Sequence, residues 1–272
     1  LLNREIIASS PGINALKNSE KGKPGILVSA GPSLDLALPY LHRLQKDFLV
    51  ACVDTSYPIL IENNVQPDYV LSLDPQIDSA AHFMDCPTEK TRLIFTPSSN
   101  HNVLKFFSGE CYVVFKDGHH LSKDNESTTK EKGTTRAGGS VACLGLDALI
   151  HLGCDPIFLI GQDCAFSGNR YYSSHSQFNN QLQSKISRTM SLEKLHLEKA
   201  GEKKQLSVKC AHDNFLLTDQ VMYSYLRTLE HIIQANPDTR VFNLYSHGAE
   251  IENAPAVGSV NEMMRQAFIP RN

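Results

Sequence analysis

The chain lacks the features that would place it quickly in a class of binding protein. Its 272 residues carry a formal net charge of only −3, so bulk charge does not indicate nucleic acid or an acidic membrane surface as a partner. No apolar run is long enough to span a membrane, and the N-terminus has no signal-peptide pattern. The length allows one large α/β domain with an accessory segment.

The seven cysteines include no C-x-x-C pair and suggest no disulfide framework. Their odd number favours a reducing compartment over secretion, and we expect a cytoplasmic protein. The chain begins with Leu1 instead of Met, so we expect a fragment of a longer protein.

Several catalytic motifs are also missing. There is no G-x-G-x-x-G dinucleotide fingerprint, no Gly-Lys-Ser/Thr of a Walker loop and no G-x-S-x-G of a serine hydrolase. No Asp-x-Asp pair is present, which weakens the case for a metal-bridged sugar nucleotide. The eleven histidines lack the spacing of metal ligands, so we expect no metal site built on them.

What the chain does have is an alternation of short apolar runs with helical patterns. Such alternation is typical of parallel βα units, whose ligands bind at the carboxyl ends of the strands. The predicted strands cover residues 26–28, 48–53, 69–73, 92–95, 111–115, 157–160 and 240–244. The predicted helices include residues 13–16, 36–45, 79–84, 102–107, 141–152 and 220–234.

The first predicted strand runs into the turn Ser29-Ala30-Gly31-Pro32-Ser33-Leu34-Asp35. Gly31 permits a tight turn, Pro32 suits the first turn of a helix, and Ser33 supplies an oxygen at the helix start. A glycine turn that opens a helix is either an ordinary βα connection or an anion site. The same pattern recurs at Gly138-Gly139-Ser140, and Gly161-Gln162-Asp163 places polar groups at another strand end.

Asp54, Asp74 and Asp163 each follow a predicted strand. They would either hold Mg²⁺ together with phosphates or make helix caps and turns. Helix capping and turn hydrogen bonds are the stronger interpretation for Asp54, and for Asp74 the two interpretations are about equal. Asp163 is the best functional candidate, because Gly161 on one side and a polar loop on the other place it at an open edge.

Two histidines and two tyrosines lie in polar loops that follow strands. His175 and His247 are candidate general bases, since an imidazole of ordinary pKa suits proton transfer at neutral pH. Tyr171 and Tyr172 would either bind a phosphate or base, or be ordinary loop aromatics.

Two stretches interrupt the alternation. Residues 116–136 are polar and charged, and we expect either a lid over the site or a disordered loop. Residues 181–217 read as a helical arm or insertion. The predicted organisation is an N-terminal segment 1–23, a core 24–180, the arm 181–217, and a C-terminal helix and strand within 218–272 that complete the core.

Four blocks of the chain together resemble one family of proteins. The blocks are VSAGPSLD at 28–35, VDT at 53–55 with QPDYVLSLDP at 66–75, GSVA at 139–142 with LGCDPIFLIGQDCAF at 152–166, and NLYSHGAEI at 243–251. This pattern resembles the motility accessory factor family, bacterial proteins implicated in glycosylating flagellin with sialic-acid-like sugars. The domain is also similar to archaeal 6-hydroxymethylpterin diphosphokinase and, more weakly, to bacterial sialyltransferases that use CMP-sialic acid.

The resemblance implies a Rossmann-like, mostly parallel sheet with helices on both faces and a small helical accessory region. It implies a nucleotide site near one set of positions: Ser29, Gly31, Pro32, Ser33, Asp54, Thr55, Asp74, Gly139, Ser140, Gly161 and Gln162. Asp163 would belong to the site floor, and Tyr171 and Tyr172 would face the substrate. For the base, His175 matches the family's loop histidine, while His212 approximately matches the sialyltransferases' catalytic histidine.

The implied function is transfer of a nonulosonic acid from a CMP donor to Ser/Thr hydroxyls of flagellin, with no metal required. The first alternative is a diphosphokinase that uses Mg²⁺ and ATP. The second is a nucleotide-sugar-binding protein without catalysis. The expected partners are the nucleotide sugar and flagellin, with neither nucleic acid nor membrane and with a possible homo-oligomer.

Overall fold

The computed structural model describes residues 2–118, 126–167, 170, 172–176, 204–210, 214–245 and 247–269. The strands in these ranges are β1 Gly25–Val28, β2 Leu49–Val53, β3 Tyr69–Ser72, β4 Arg92–Phe95, β5 Cys111–Val113, β6 Phe115–Lys116, β7 Thr134–Thr135, β8 Ile157–Ile160, β9 Gln205–Lys209, β10 Phe215–Asp219, β11 Val241–Leu244 and β12 Ala256–Val257. The α-helices are α1 Arg4–Ser9, α2 Leu34–Leu44, α3 Tyr57–Glu62, α4 Asp78–Ala81, α5 His101–Phe106, α6 Glu126–Lys132, α7 Val141–Leu152, α8 Gln220–Gln234 and α9 Val260–Ala267. Short 3-10 helices cover Ile13–Leu16 and Asp54–Ser56.

The main sheet has eight strands in the order β12-β11-β8-β1-β2-β3-β4-β5. All its neighbouring strands pair in parallel. The predicted α/β fold with a mostly parallel, Rossmann-like sheet is therefore confirmed. Five short strands are buried along their whole length, β1, β2, β3, β8 and, except for Arg92, β4. Burial on both faces explains why their sequences are continuous apolar runs.

Side chains from each strand alternate between two hydrophobic cores. Leu27 of β1 packs with α7 and α8 on one face of the sheet, whereas Ile26 and Val28 pack with α2, α3, α5 and α9 on the other. Full burial of each such side chain stabilises the fold by about 1.5–3 kcal/mol. The two helical layers hold the carboxyl ends of the strands in fixed positions.

The strand order reverses at β1. This strand pairs with β2 on one side and with β8 on the other, and Gly25 lies opposite both Leu49 and Ile157. In open α/β sheets the crevice at such a reversal, beyond the carboxyl ends of the strands, is the usual ligand site. Here the turns that follow β1 and β8 both line a cavity beyond the carboxyl ends of the strands.

The described part of residues 116–136 contains a helix and a short strand, whereas the sequence predicted a lid or a disordered loop. Residues 126–132 form α6, and β7 pairs in parallel with β6. The Nζ of Lys132 donates hydrogen bonds to the carbonyls of Ile7 and Ser10, at 2.8 and 2.6 Å, and so satisfies carbonyls at the end of α1. Because these are long-range contacts, local composition does not reveal them. Residues 119–125 lie outside the described part.

The helical structure predicted for residues 181–217 is wrong for the part of this segment that the structure describes. Within 181–217, the described residues belong to an antiparallel hairpin of β9 and β10. Val208 is buried while Ser207 and Lys209 are exposed, an alternation with the period of a strand. Charge obscured this period-two pattern in the sequence. Residues 181–203 and 211–213 lie outside the described part.

Candidate functional site

A cavity of about 790 Å³ lies at the carboxyl ends of β1, β2, β3 and β8. The first turns of α7 and α8 form further walls. Residues that line it and that the sequence had singled out are Ser29, Gly31, Asp54, Thr55, Asp74, Gly139, Ser140, Gly161, Gln162, Asp163 and Tyr172. Residues that line it and that the sequence had not assigned to a site include Lys116, His82, Asp219, Val221, Met222 and Tyr225.

The turn between β1 and α2 is packed directly against the turn after β8. Gly31 donates its N–H to the carbonyl of Gly161 at 2.9 Å, and a Cβ on Gly31 would lie 2.3 Å from Oδ2 of Asp163. Gly161 has φ of +70°, and a Cβ there would lie 2.1 Å from the carbonyl oxygen of Ser29. Both positions therefore require glycine, because no side chain fits between the two turns.

Asp163 occupies the N-terminus of α2. Its Oδ2 accepts hydrogen bonds from the N–H and the hydroxyl of Ser33, at 3.0 and 2.9 Å, and its Oδ1 accepts one from Ser167 at 3.0 Å. Burial raises the pKa of this carboxyl, and the hydrogen bonds from Ser33 and Ser167 oppose that rise. The remaining donors of the turn are used locally, since Leu34 and Asp35 donate to the carbonyls of Gly31 and Pro32.

The predicted anion site at this turn is thus filled by the chain's own carboxylate. Ser33 and Pro32 are not among the residues that line the cavity. The sequence could not show this, because Asp163 lies 130 residues from Ser33. Asp163 itself reaches the cavity but makes its polar contacts with the two turns, so the geometry favours a structural role over the predicted catalytic one.

A second polar connection lines the cavity floor. The hydroxyl of Ser29 donates to Oε1 of Gln162 at 2.7 Å, and Nε2 of Gln162 donates to the sulfur of Cys164 at 3.1 Å. All three side chains are buried. These two hydrogen bonds fix the amide of Gln162 in the cavity floor.

The N-terminus of α7 has a different environment. Its N-cap residue Ser140 makes no side-chain capping bond. Among the described residues, no acceptor receives the N–H groups of Val141, Ala142 or Cys143. Because Gly139, Ser140, Val141 and Ala142 all line the cavity, the positive end of this 12-residue helix forms part of its wall. Such a helix end can bind a phosphate or a carboxylate.

Asp54 and Asp74 lie on the wall formed by β2 and β3. Asp54 is only 4% exposed, and its Oδ1 accepts the N–H of Thr55 at 2.8 Å. Burial, with a further contribution from the charge of Asp74, raises the pKa of Asp54 to about 7. The predicted local hydrogen bond is present, but a buried carboxyl that titrates near neutrality also has the properties of a general base or a metal ligand.

The wall formed by α8 contains side chains of the helix and its N-cap that the sequence did not mark as site residues. Asp219 is the N-cap of α8 and accepts the N–H of Met222 at 2.8 Å. Tyr225 lies above Gly139, whose Cβ would be 3.6 Å from Cε1 of the ring. Burial raises the pKa values of Tyr172 and Tyr225, and nearby carboxylates raise them further. No local sequence signal marks Tyr225, because only the packing of α8 against α7 brings it to the site.

Neither His175 nor His247, the described histidines predicted as bases, lines the cavity. His175 is exposed and does not line it. His247 is also exposed, and its Nδ1 lies 3.0 Å from the carbonyl oxygen of Tyr245. Tyr171 and His212 lie outside the described residues, so their predicted roles stay predictions.

The described residues show no metal-binding geometry. They contain no group of three or more His, Cys, Asp or Glu side chains arranged to hold an ion. Asp54, Asp74 and Asp163 line one cavity but do not form such a cluster. In the same part of the chain, no helix is both long and apolar enough to cross a membrane.

An open parallel sheet with a cavity at its strand-order reversal, walled by a helix N-terminus, defines a Rossmann-like α/β protein whose cavity lies at the usual ligand position of such sheets. A family model described as "6-hydroxymethylpterin diphosphokinase MptE-like" matches residues 2–169, which is more than half of the chain. The chain belongs to this family.

Two further proteins are similar to the chain. The structure of MAf glycosyltransferase from Magnetospirillum magneticum AMB-1 matches 98% of it with a TM-score of 0.67 and 18% identity. This match shows a shared fold and agrees with the resemblance to the motility accessory factors. An uncharacterized protein of Treponema pallidum (strain Nichols) is 29% identical over 73 residues, 26% of this chain. The chain spans 41% of the first protein and 35% of the second.

Proposed function

We propose that the protein is a glycosyltransferase that moves a nonulosonic acid from a CMP donor to Ser/Thr hydroxyls of flagellin. The observation that carries the proposal is the open N-terminus of α7 in the cavity wall. A CMP-linked nonulosonic acid presents two anionic groups, the phosphodiester and the sugar carboxylate. Unpaired N–H groups at a helix start suit either one.

The charge of the cavity favours this donor over a nucleoside triphosphate. Lys116 is the one lysine or arginine among the described residues that line the cavity, whereas four aspartates line it. One cation and one helix end, together about +1.5 charges, come nearer to offsetting a phosphodiester and a carboxylate than to offsetting a triphosphate. A triphosphate carries more negative charge and would need additional positive charge in the same space.

Asp54 is the described side chain best suited to act as the base. In the proposed step the bond between the anomeric carbon and the phosphate oxygen breaks, and CMP leaves with the electron pair. The acceptor oxygen forms the new bond to that carbon and gives its proton to Asp54. A carboxyl whose pKa is about 7 can accept that proton at neutral pH. His212 is the alternative base that the resemblance implies.

The second candidate function is a diphosphokinase of the 6-hydroxymethylpterin type. The proximity of Asp74 to Asp54 favours it, because one or two carboxylates with substrate phosphates are a common Mg²⁺ site. The family description points the same way. Asp54 and Asp74 would hold the ion, which would bring the positive charge that a triphosphate needs.

Calorimetry with CMP, and separately with ATP plus Mg²⁺, distinguishes the two functions. The glycosyltransferase proposal predicts CMP binding that a chelator does not change, and loss of sugar transfer to purified flagellin in Asp54→Asn. Asp47→Asn is a matched control, because Asp47 is exposed at the far end of α2. Binding of ATP but not CMP, abolished by the chelator, would contradict the proposal and support the kinase.

A further inference from the structure

We infer that Asp35 is a positioning residue that holds Tyr172 in the cavity wall by fixing the segment after β8. This segment, the strap, comprises Arg170 and residues 172–176. The inference rests on the proposed function only for the consequence for ligand binding, since the contacts themselves are independent of the reaction.

The carboxylate of Asp35 contacts three residues of the strap. Oδ1 accepts the hydroxyl of Ser173 at 2.5 Å and the N–H of Ser174 at 3.1 Å. Oδ2 pairs with Nη1 of Arg170 at 3.1 Å, with both side chains largely shielded from solvent. A fourth bond runs from the N–H of Ser173 to the carbonyl of Ala30 at 2.7 Å. The strap is therefore attached to the first turn of α2 and to the turn before it.

The contacts with the strap require the carboxylate form of Asp35, and this form is favoured. Burial by itself would raise its pKa, but the hydrogen bonds from Ser173, Ser174 and Arg170 lower it below the ordinary value. Its place in the first turn of α2 also favours the ionised form. The carboxylate thus stays charged at neutral pH and holds the strap by charge-assisted bonds.

Tyr172 lies between the residues that Asp35 holds. It is partly buried, packs against the core on the α2 face of the sheet and lines the cavity. Asp35 does not line the cavity. Asp35 therefore acts on a ligand indirectly, through the strap, whereas Asp54 and Asp74 line the cavity themselves.

The absence of tryptophan from the chain allows a direct test. In Tyr172→Trp the new side chain is the single tryptophan, and its emission and its quenching by acrylamide report whether the strap is attached. Adding Asp35→Ala is expected to shift the emission to longer wavelength and increase quenching. Asp35→Asn keeps an acceptor for Ser173 but loses the ion pair with Arg170, so an intermediate signal is expected. Asp47→Ala is the matched control and should leave the signal unchanged.

The same series, with Tyr172 restored, reports the effect on ligands. If Asp35→Ala reduces the attached population to about one tenth, the apparent Kd and KM for the nucleotide donor rise about tenfold, while kcat changes little. Should Asp35→Ala fail to fold, Ser173→Ala and Arg170→Ala remove the two side-chain contacts of the strap with Asp35 and leave the bond from the N–H of Ser174. Unchanged emission and quenching of the introduced tryptophan in all of the folded variants would overturn the inference. Changed fluorescence without any binding of CMP would instead count against the proposed function alone.

Discussion

The two glycine-rich turns that open α2 and α7 differ in what occupies their helix N-termini. At α2, the N–H of Ser33 donates to Asp163. At α7, no acceptor among the described residues receives the N–H groups of Val141, Ala142 and Cys143. Both helices start at the same edge of the sheet, so the difference does not come from their position in the fold.

The difference shows that a strand–glycine–helix pattern specifies an anion site but not its occupant. The turn after β1 receives a carboxylate from the turn after β8, which holds two neighbouring turns together. The turn before α7 receives none and faces a cavity of about 790 Å³. We therefore assign a structural role to the first helix end, whereas the proposed function places the anionic ligand at the second.

The largest expected effect is on the pH dependence of stability. It concerns Asp54, which lines the cavity, whereas both carboxylate oxygens of Asp163 accept hydrogen bonds within the fold. The pKa of Asp54 is raised from 3.8 to about 7, so its contribution to stability is fully present below pH 3.8 and is lost as pH rises through 7. The difference corresponds to at most roughly 4 kcal/mol. Asp54→Asn should therefore be more stable than the natural protein at pH 8 and lose this difference near pH 4. Urea unfolding across this range measures it, and an equal pH dependence in both proteins would contradict the assignment.

The second prediction tests the closed helix end. Asp163→Ala leaves the N–H and the hydroxyl of Ser33 without their acceptor. It also removes one of the two acceptors of the Ser167 hydroxyl, which keeps the carbonyl of His247. We expect a loss of about 3 kcal/mol in the free energy of unfolding, since each unsatisfied buried donor costs about 1–3 kcal/mol. Asp74→Ala is the comparison, because that carboxylate accepts the N–H of Gln76 in an exposed turn. Equal losses in the two variants would show that Asp163 has no special structural role.

The smallest expected effect on stability comes from closing the open helix end. Ser140→Asp places a carboxylate at the N-cap of α7, where it can accept the free N–H groups as Asp163 does at α2. The helix should gain up to about 1 kcal/mol, while CMP binding should weaken at least about tenfold through competition for the same donors. Ser140→Thr keeps the charge unchanged and serves as the control. Calorimetry that finds CMP binding intact in Ser140→Asp would show that the ligand lies elsewhere.

Much of the fold followed from local patterns. The bounds of α7, α8 and β8 were predicted to the residue, because each is a strongly apolar or amphipathic segment with a clear cap or turn at its end. Residues 204–210 and 214–217 were predicted as part of a helical arm or insertion, since exposed charged side chains obscured a period-two alternation. The small parallel pair of β6 and β7 has too few residues to leave a pattern.

The site was predictable where it lies at strand ends or at a glycine-containing helix start. Ser29, Asp54, Asp74 and Gln162 could be found because each follows an apolar run that had to be a strand. Tyr225 lies on a helix and reaches the cavity through the packing of α8 against α7. The partner of Ser33 is 130 residues away. Contacts of this kind depend on tertiary packing, which no local spacing encodes.

We propose that α7, and not α2, presents the anion site. Backbone amide NMR during titration with CMP distinguishes the two helices. We expect shifts at the amides of Val141, Ala142 and Cys143, with those of Ser33 and Leu34 unchanged. Shifts at Ser33 and Leu34 without any at α7 would contradict it.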